Sequence, residues 1–132
     1  MSKYIPYHAE SIAKAKELVK DKKDPVEIYS TIVHWVSRNF NYDWIRAITI
    51  PKKGREMPDI ARCWDKRMGI CMDIAAMTVG MLSAVGIKAY MCYGHTERTY
   101  HAWVEAIINN KLYRYDHNGK AKKYNREKTF TA

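Results

Sequence analysis

Apolar positions along the chain fall first at helical and then at strand spacing. From Ser11 to Lys20, Ile12, Ala15, Leu18 and Val19 share one helical face with lysines opposite. Asp24-Pro25 reads as an N-cap followed by proline at the first helical position. It opens a second helix, Val26 to Arg38, that buries Ile28, Ile32, Trp35 and Val36, and Asn39-Phe40-Asn41-Tyr42-Asp43 closes it. Ile45 to Ile50 reads as a short strand or extended segment before the polar turn Pro51-Lys52-Lys53-Gly54-Arg55. Met57-Pro58-Asp59 starts a short helical piece through Trp64 and Lys66 that stops at Gly69.

From Cys71 to Val85 the pattern is helical and apolar on most sides, which places that helix at the centre of a domain, with Gly86 as its stop. Ile87 to Tyr93, His101 to Ile108 and Lys111 to Asp116 then read as three strands, and the basic tail from Gly119 as an edge strand. Helices first and antiparallel strands after give an α+β layout with N-terminal helices and the central helix packed on the sheet. The 132 residues are read as one domain.

Asn109-Asn110 fits a two-residue hairpin turn, because Asn tolerates positive φ. Ile108 then pairs with Lys111, and the ladder runs on until Trp103 stands opposite Asp116. His101 and Asp116 become diagonal neighbours on one face, about 7–8 Å apart in the backbone and within side-chain reach. A one-residue slip would part them.

A 47% hydrophobic fraction excludes wholesale disorder, and no apolar run is long enough to span a bilayer. A net charge of +9 favours acidic partners, among them nucleic acid, anionic cell-wall polymer or a membrane surface. No nucleic-acid motif accompanies the charge, so a solvated surface is the preferred reading. Three cysteines exclude a complete disulfide framework. Cys63 and Cys92 are left as a pair that would bridge in an oxidising compartment. A zinc site from Cys63, Cys71, Cys92 and His95 lacks a second close ligand pair and is disfavoured, so no cofactor or metal is expected. His8, His34 and His117 carry no partner pattern and read as surface or packing residues.

Cys71 opens the buried helix directly after Gly69-Ile70. Free N–H groups and the helix dipole there favour a thiolate and supply donors for an oxyanion. His101 as general base and Asp116 as its orienting carboxylate complete the set that a cysteine nucleophile requires. Tyr42, Trp44 and Trp64 are candidates for a side-chain oxyanion donor or cleft wall, with core or rim packing as the alternative. Asp73 reads as a structural partner of the first-turn N–H groups.

At these residues the chain resembles the transglutaminase-like domain family of the papain-like fold. The resemblance runs through Gly69-Ile70-Cys71-Met72-Asp73, Val85-Gly86-Ile87, Tyr93-Gly94, His101-Ala102-Trp103-Val104-Glu105 and Tyr115-Asp116, with Asn39 to Asp43 upstream. It covers residues 25 to 118 or so. The family usually follows its Asp with Pro-Thr, where this chain has His117-Asn118.

The resemblance implies acyl transfer on an amide through a thioester, by Cys71, His101 and Asp116. No amine site or calcium-loop pattern stands out, so a peptidase or amidohydrolase acting on protein or peptide is favoured over protein-glutamine transamidation. A non-catalytic peptide- or glycan-binding module on the same fold is the further alternative. Residues 1 to 20 or so lack a signal-peptide h-region. Family members are often parts of larger secreted or envelope proteins, so the expectation is a bacterial domain excised from such a protein rather than a cytoplasmic one.

Overall fold

The computed structural model describes residues 5–49 and 58–132. Helix α1 spans Ala9–Leu18 and is capped by His8, whose Nδ1 accepts from the Ser11 N–H at 3.2 Å. His8 therefore has a capping role that its sequence context did not announce. Helix α2, Pro25–Asn39, begins as its residues dictate: the Asp24 carboxylate accepts from the Glu27 N–H and Pro25 fills the first turn. Its buried stripe is Tyr29, Ile32, Val33 and Val36, rotated from the expected one; Ile28 and Trp35 are only partly buried.

The expected strand over Ile45–Ile50 is not formed. Residues Trp44–Thr49 are a short helix, α3, and Ile50 lies outside the described residues with the Pro51 to Arg55 turn and Met57. The β-branched isoleucines suggested a strand, but Asp43 Oδ1 accepts from the Arg46 N–H at 3.1 Å and starts a helical turn. Asp73, distant in sequence, then takes the Arg46 guanidinium at 2.5 Å. Tertiary pairing overrides propensity here. Of α3, Ala47 is buried while Trp44, Ile45 and Ile48 are exposed.

Two residues before α3, β1 (Asn41–Tyr42) pairs in parallel with β2 (Met68–Gly69), Asn41 opposite Met68 and Tyr42 opposite Gly69. Helix α4, Ile60–Lys66, lies between them in sequence; Asp59 caps it, and Arg67, at φ 56°, ends it two residues before the expected stop at Gly69. This small ladder sets Tyr42 beside the start of the next helix. Gly69 has no room for a side chain: a Cβ there would lie 2.8 Å from Cys63 Sγ.

Helix α5, Cys71–Ala84, is the apolar centre, with Ile74, Ala76, Met77, Val79, Met81 and Leu82 fully enclosed. It packs against α1, α2, α4 and the sheet. The sheet runs β5-β4-β3-β6, all antiparallel, from β3 (Lys88–Thr96), β4 (Tyr100–Ile108), β5 (Lys111–Tyr115) and β6 (Tyr124–Phe130). Asn109 and Asn110, at φ 54° and 64°, form the tight turn, and Ile108 pairs with Lys111 in the expected register.

Ala102, Val104 and Ala106 join the core, while Trp103 and Glu105 alternate to the other face. There the buried Glu105 carboxylate accepts from the Trp103 indole, Arg114 and Arg126 at 2.7–3.0 Å. This satisfies a charge that would otherwise be costly to bury. No described helix is long and apolar enough to cross a membrane.

Candidate active site

Cys71 is the first residue of α5, half-buried, with Ile70 as the N-cap. The start of the helix is fixed by Asp73, whose Oδ2 accepts from the Ile70 N–H at 3.2 Å. The same carboxylate also takes the Asp59 N–H on Oδ1 at 3.0 Å and the Arg46 guanidinium. Asp73 is thus structural, as its position suggested, but it ties three segments together rather than one.

His101, near the start of β4, and Asp116, just after β5, are both buried. The imidazole Nε2–H donates to Asp116 Oδ1 at 2.9 Å and lies 3.0 Å from Oδ2. Nδ1 is left for the Cys71 side, where the ring hydrogen-bonds the thiol. Burial alone would lower the His101 pKa. Hydrogen bonds to Asp116 and Cys71, with the negative charge of both, outweigh it and raise the value from 6.5 to about 9. The ring therefore favours the imidazolium form.

Asp116 is held as firmly as it holds. Its Oδ1 accepts from the Asn118 N–H at 3.2 Å and its Oδ2 from the Tyr124 hydroxyl at 2.9 Å. Sequence reasoning missed Tyr124, because β6 reaches Asp116 only after crossing to the far edge of β3.

Of the three aromatic candidates, two reach the site. The Tyr42 hydroxyl meets the Cys71 backbone N–H, the Cys71 thiol and the Asn118 side chain; burial first, then the Cys71 charge, push its pKa up to about 12, so it is a firm O–H donor. Trp44 lines the mouth of the same cleft and packs on Tyr42 at 4.5 Å between ring centroids. Trp64 does not: it lies against Trp35, Phe40 and His8 under the Arg67 guanidinium, 4.1 Å from the ring centroid, and lines no part of the Cys71 cleft. That α4 turns it toward Trp35 and Phe40 was not readable from its spacing to Cys71.

The cleft itself has a volume of about 240 Å³ and is walled chiefly by Tyr42, Trp44, Ile48, Ile70, Tyr93 and Tyr100, with Cys71, His101 and Asp116 at its floor. Cys63 and Cys92 stand apart from it as free, buried thiols, each with its pKa pushed up to about 12, mainly by burial. The bridge between them is not made. Among the described residues no three His, Cys, Asp or Glu side chains are grouped to hold a metal ion, so the Cys63/Cys71/Cys92/His95 set does not assemble.

A family model, the transglutaminase-like superfamily, matches residues 12–117. The chain belongs to that superfamily. Several solved structures share its α+β fold. One is a TGase, at TM-score 0.66 and 16% identity over 90% of this chain and 33% of that one. Another is a candidate cysteine protease from Cytophaga hutchinsonii, at TM-score 0.63 and 18% identity over 83% and 37% of the two chains. A third is a candidate protease from Parabacteroides distasonis, at TM-score 0.63 and 21% identity over 80% and 22%. The chain therefore spans between a fifth and two fifths of those structures' lengths. A comparison with curated proteins finds no match.

Proposed function

We propose that this transglutaminase-like domain is a cysteine hydrolase that cleaves an amide bond of a protein or peptide through a thioester. The observation that carries the reading is the hydrogen-bonded His101–Asp116 pair, with its second ring nitrogen toward a thiol at a helix start, all in one cleft.

The chemistry follows from those groups. The Cys71 thiolate adds to the substrate carbonyl carbon, and the carbonyl electrons move to oxygen. That oxyanion is met by the Tyr42 hydroxyl, turned to it from the sulfur, and by the Cys71 N–H once the substrate oxygen displaces its bond to the Tyr42 oxygen. The His101 imidazolium passes its Nδ1 proton to the leaving nitrogen, the C–N bond breaks, and an acyl thioester remains. Neutral His101 then takes a proton from water as it attacks, and the thiolate leaves. Asp116 keeps the ring oriented throughout. An amine in place of water would make the same site a transamidase; a non-catalytic module would need none of these groups.

Mass spectrometry of a peptide mixture incubated with the protein, with and without a primary amine, tests the reading. Cleavage or side-chain deamidation by the wild type and none by Cys71→Ala is the expected result. Amine incorporation would assign transamidation instead, and equal turnover by Cys71→Ala would remove the thiol from the reaction.

A further inference from the structure

The two residues at which the chain departs from its family, His117 and Asn118, join the carboxylate side of the site to its oxyanion side. The Tyr115 hydroxyl donates to His117 Nδ1 at 2.6 Å, and His117 Nε2–H donates to the Phe40 carbonyl at 2.9 Å. A neutral imidazole has one acceptor and one donor, which these partners match. Burial lowers the His117 pKa and keeps it in that form. The loop after β5 is thereby fastened to the residue that precedes β1, the strand carrying Tyr42.

Asn118 follows. Its backbone N–H is spent on Asp116, and its side chain lines the cleft where Tyr42 does. The amide Nδ2–H donates to the Tyr42 oxygen, while Oδ1 is buried with no hydrogen-bond partner among the described residues. An orphaned buried carbonyl oxygen is unfavourable. Turning the amide over would satisfy it, but only by accepting the one Tyr42 proton. The arrangement present leaves that proton pointing at the sulfur side of the cleft.

We propose that Asn118 is a positioning residue for oxyanion stabilisation: by donating to the Tyr42 oxygen it directs the Tyr42 O–H at the substrate oxygen that becomes negative at Cys71. His117 holds the two segments in register for that contact. The inference rests on the acyl-transfer reading, but it concerns only the step in which an oxyanion forms.

Two reagents separate that step from simple thiol reactivity. Acylation of Cys71 by p-nitrophenyl acetate passes through a tetrahedral oxyanion; alkylation of the same thiol by iodoacetamide does not. Asn118→Ala and Asn118→Asp are expected to lower the acylation rate about tenfold or more, with alkylation changed by less than about twofold. The Asp variant is decisive. It keeps the size of Asn and the backbone bond to Asp116, but its carboxylate can only accept, and so draws the Tyr42 proton away. A merely structural Asn118 would show both variants slowing acylation and alkylation alike.

Tyr42→Phe should lower the same ratio of rates, and Asn118→Ala should add little on that background. An unchanged ratio in both Asn118 variants, with Tyr42→Phe impaired, overturns this inference and leaves the acyl-transfer reading standing. A wild-type thiol that neither reagent modifies faster than an ordinary cysteine overturns both.

Discussion

His101 Nε2 stands 2.9 Å from Asp116 Oδ1, a contact closed by a hairpin whose turn is two asparagines at positive φ. The carboxylate does more than orient the ring. It is the only group on that side to balance the imidazolium among the described contacts of His101, and it also receives the Asn118 N–H and the Tyr124 hydroxyl. Asp116→Asn keeps the shape but removes the charge and confuses the ring tautomer. Turnover should fall roughly a thousandfold or more, and the thermal midpoint should fall with it, because the buried imidazolium loses its counter-charge. Full activity in that variant would mean that the His101–Asp116 contact is incidental.

The raised His101 pKa fixes the direction of a pH effect. The proposed reaction needs the imidazolium to protonate the leaving nitrogen, so kcat/KM should fall on an alkaline limb near the folded value of about 9. Stability has the same sign. A folded pKa above the unfolded 6.5 contributes stability that is fully present below 6.5 and is lost as the pH rises through about 9. Urea denaturation of wild type and His101→Gln should therefore show a stability gap at mildly acidic pH that narrows as the pH rises past the folded value. A gap that widens would reverse the assignment.

Asp73 tests how the cleft wall is held. It binds Arg46 on one side of residues 50–57 and the Asp59 N–H on the other, as well as the start of α5. Asp73→Asn removes a buried negative charge that Arg46, the Asp59 N–H and the Ile70 N–H all share, and should cost about 2–4 kcal/mol in chemical denaturation. With α3 loosened, Trp44 and Ile48 shift in the cleft wall and KM should rise. A variant as stable as wild type would show that α3 is anchored elsewhere.

Much of this site could be read from residue order because its parts lie in local structure. Asn109-Asn110 fixes a turn, the turn fixes the register, and the register puts His101 and Asp116 on one face. Cys71 at the head of an apolar helix needs no more than the Gly69-Ile70 stop before it. What escaped the sequence is what distant segments decide. The α3 isoleucines carry a strand signature, yet the helix is imposed by Asp43 locally and by Asp73 from the core. Tyr42 reaches Cys71 through a ladder of two residue pairs, too short to leave a pattern. Trp64 offered the same aromatic chemistry as Trp44, and only the path of α4 sends it elsewhere. Tyr124 comes from a strand on the opposite edge of the sheet, with no spacing rule to link it to Asp116.

The central claim is that Cys71 is an activated thiol while its two companions are inert. Both Cys63 and Cys92 are buried, with pKa values pushed up to about 12, whereas Cys71 sits half-buried in the cleft beside the His101 ring. The direct measurement is site-resolved iodoacetamide labelling at mildly acidic pH, followed by peptide mapping. Cys71 should be alkylated far faster than Cys63 or Cys92, and His101→Ala should slow it toward the others. Equal, slow labelling of all three thiols would contradict the account.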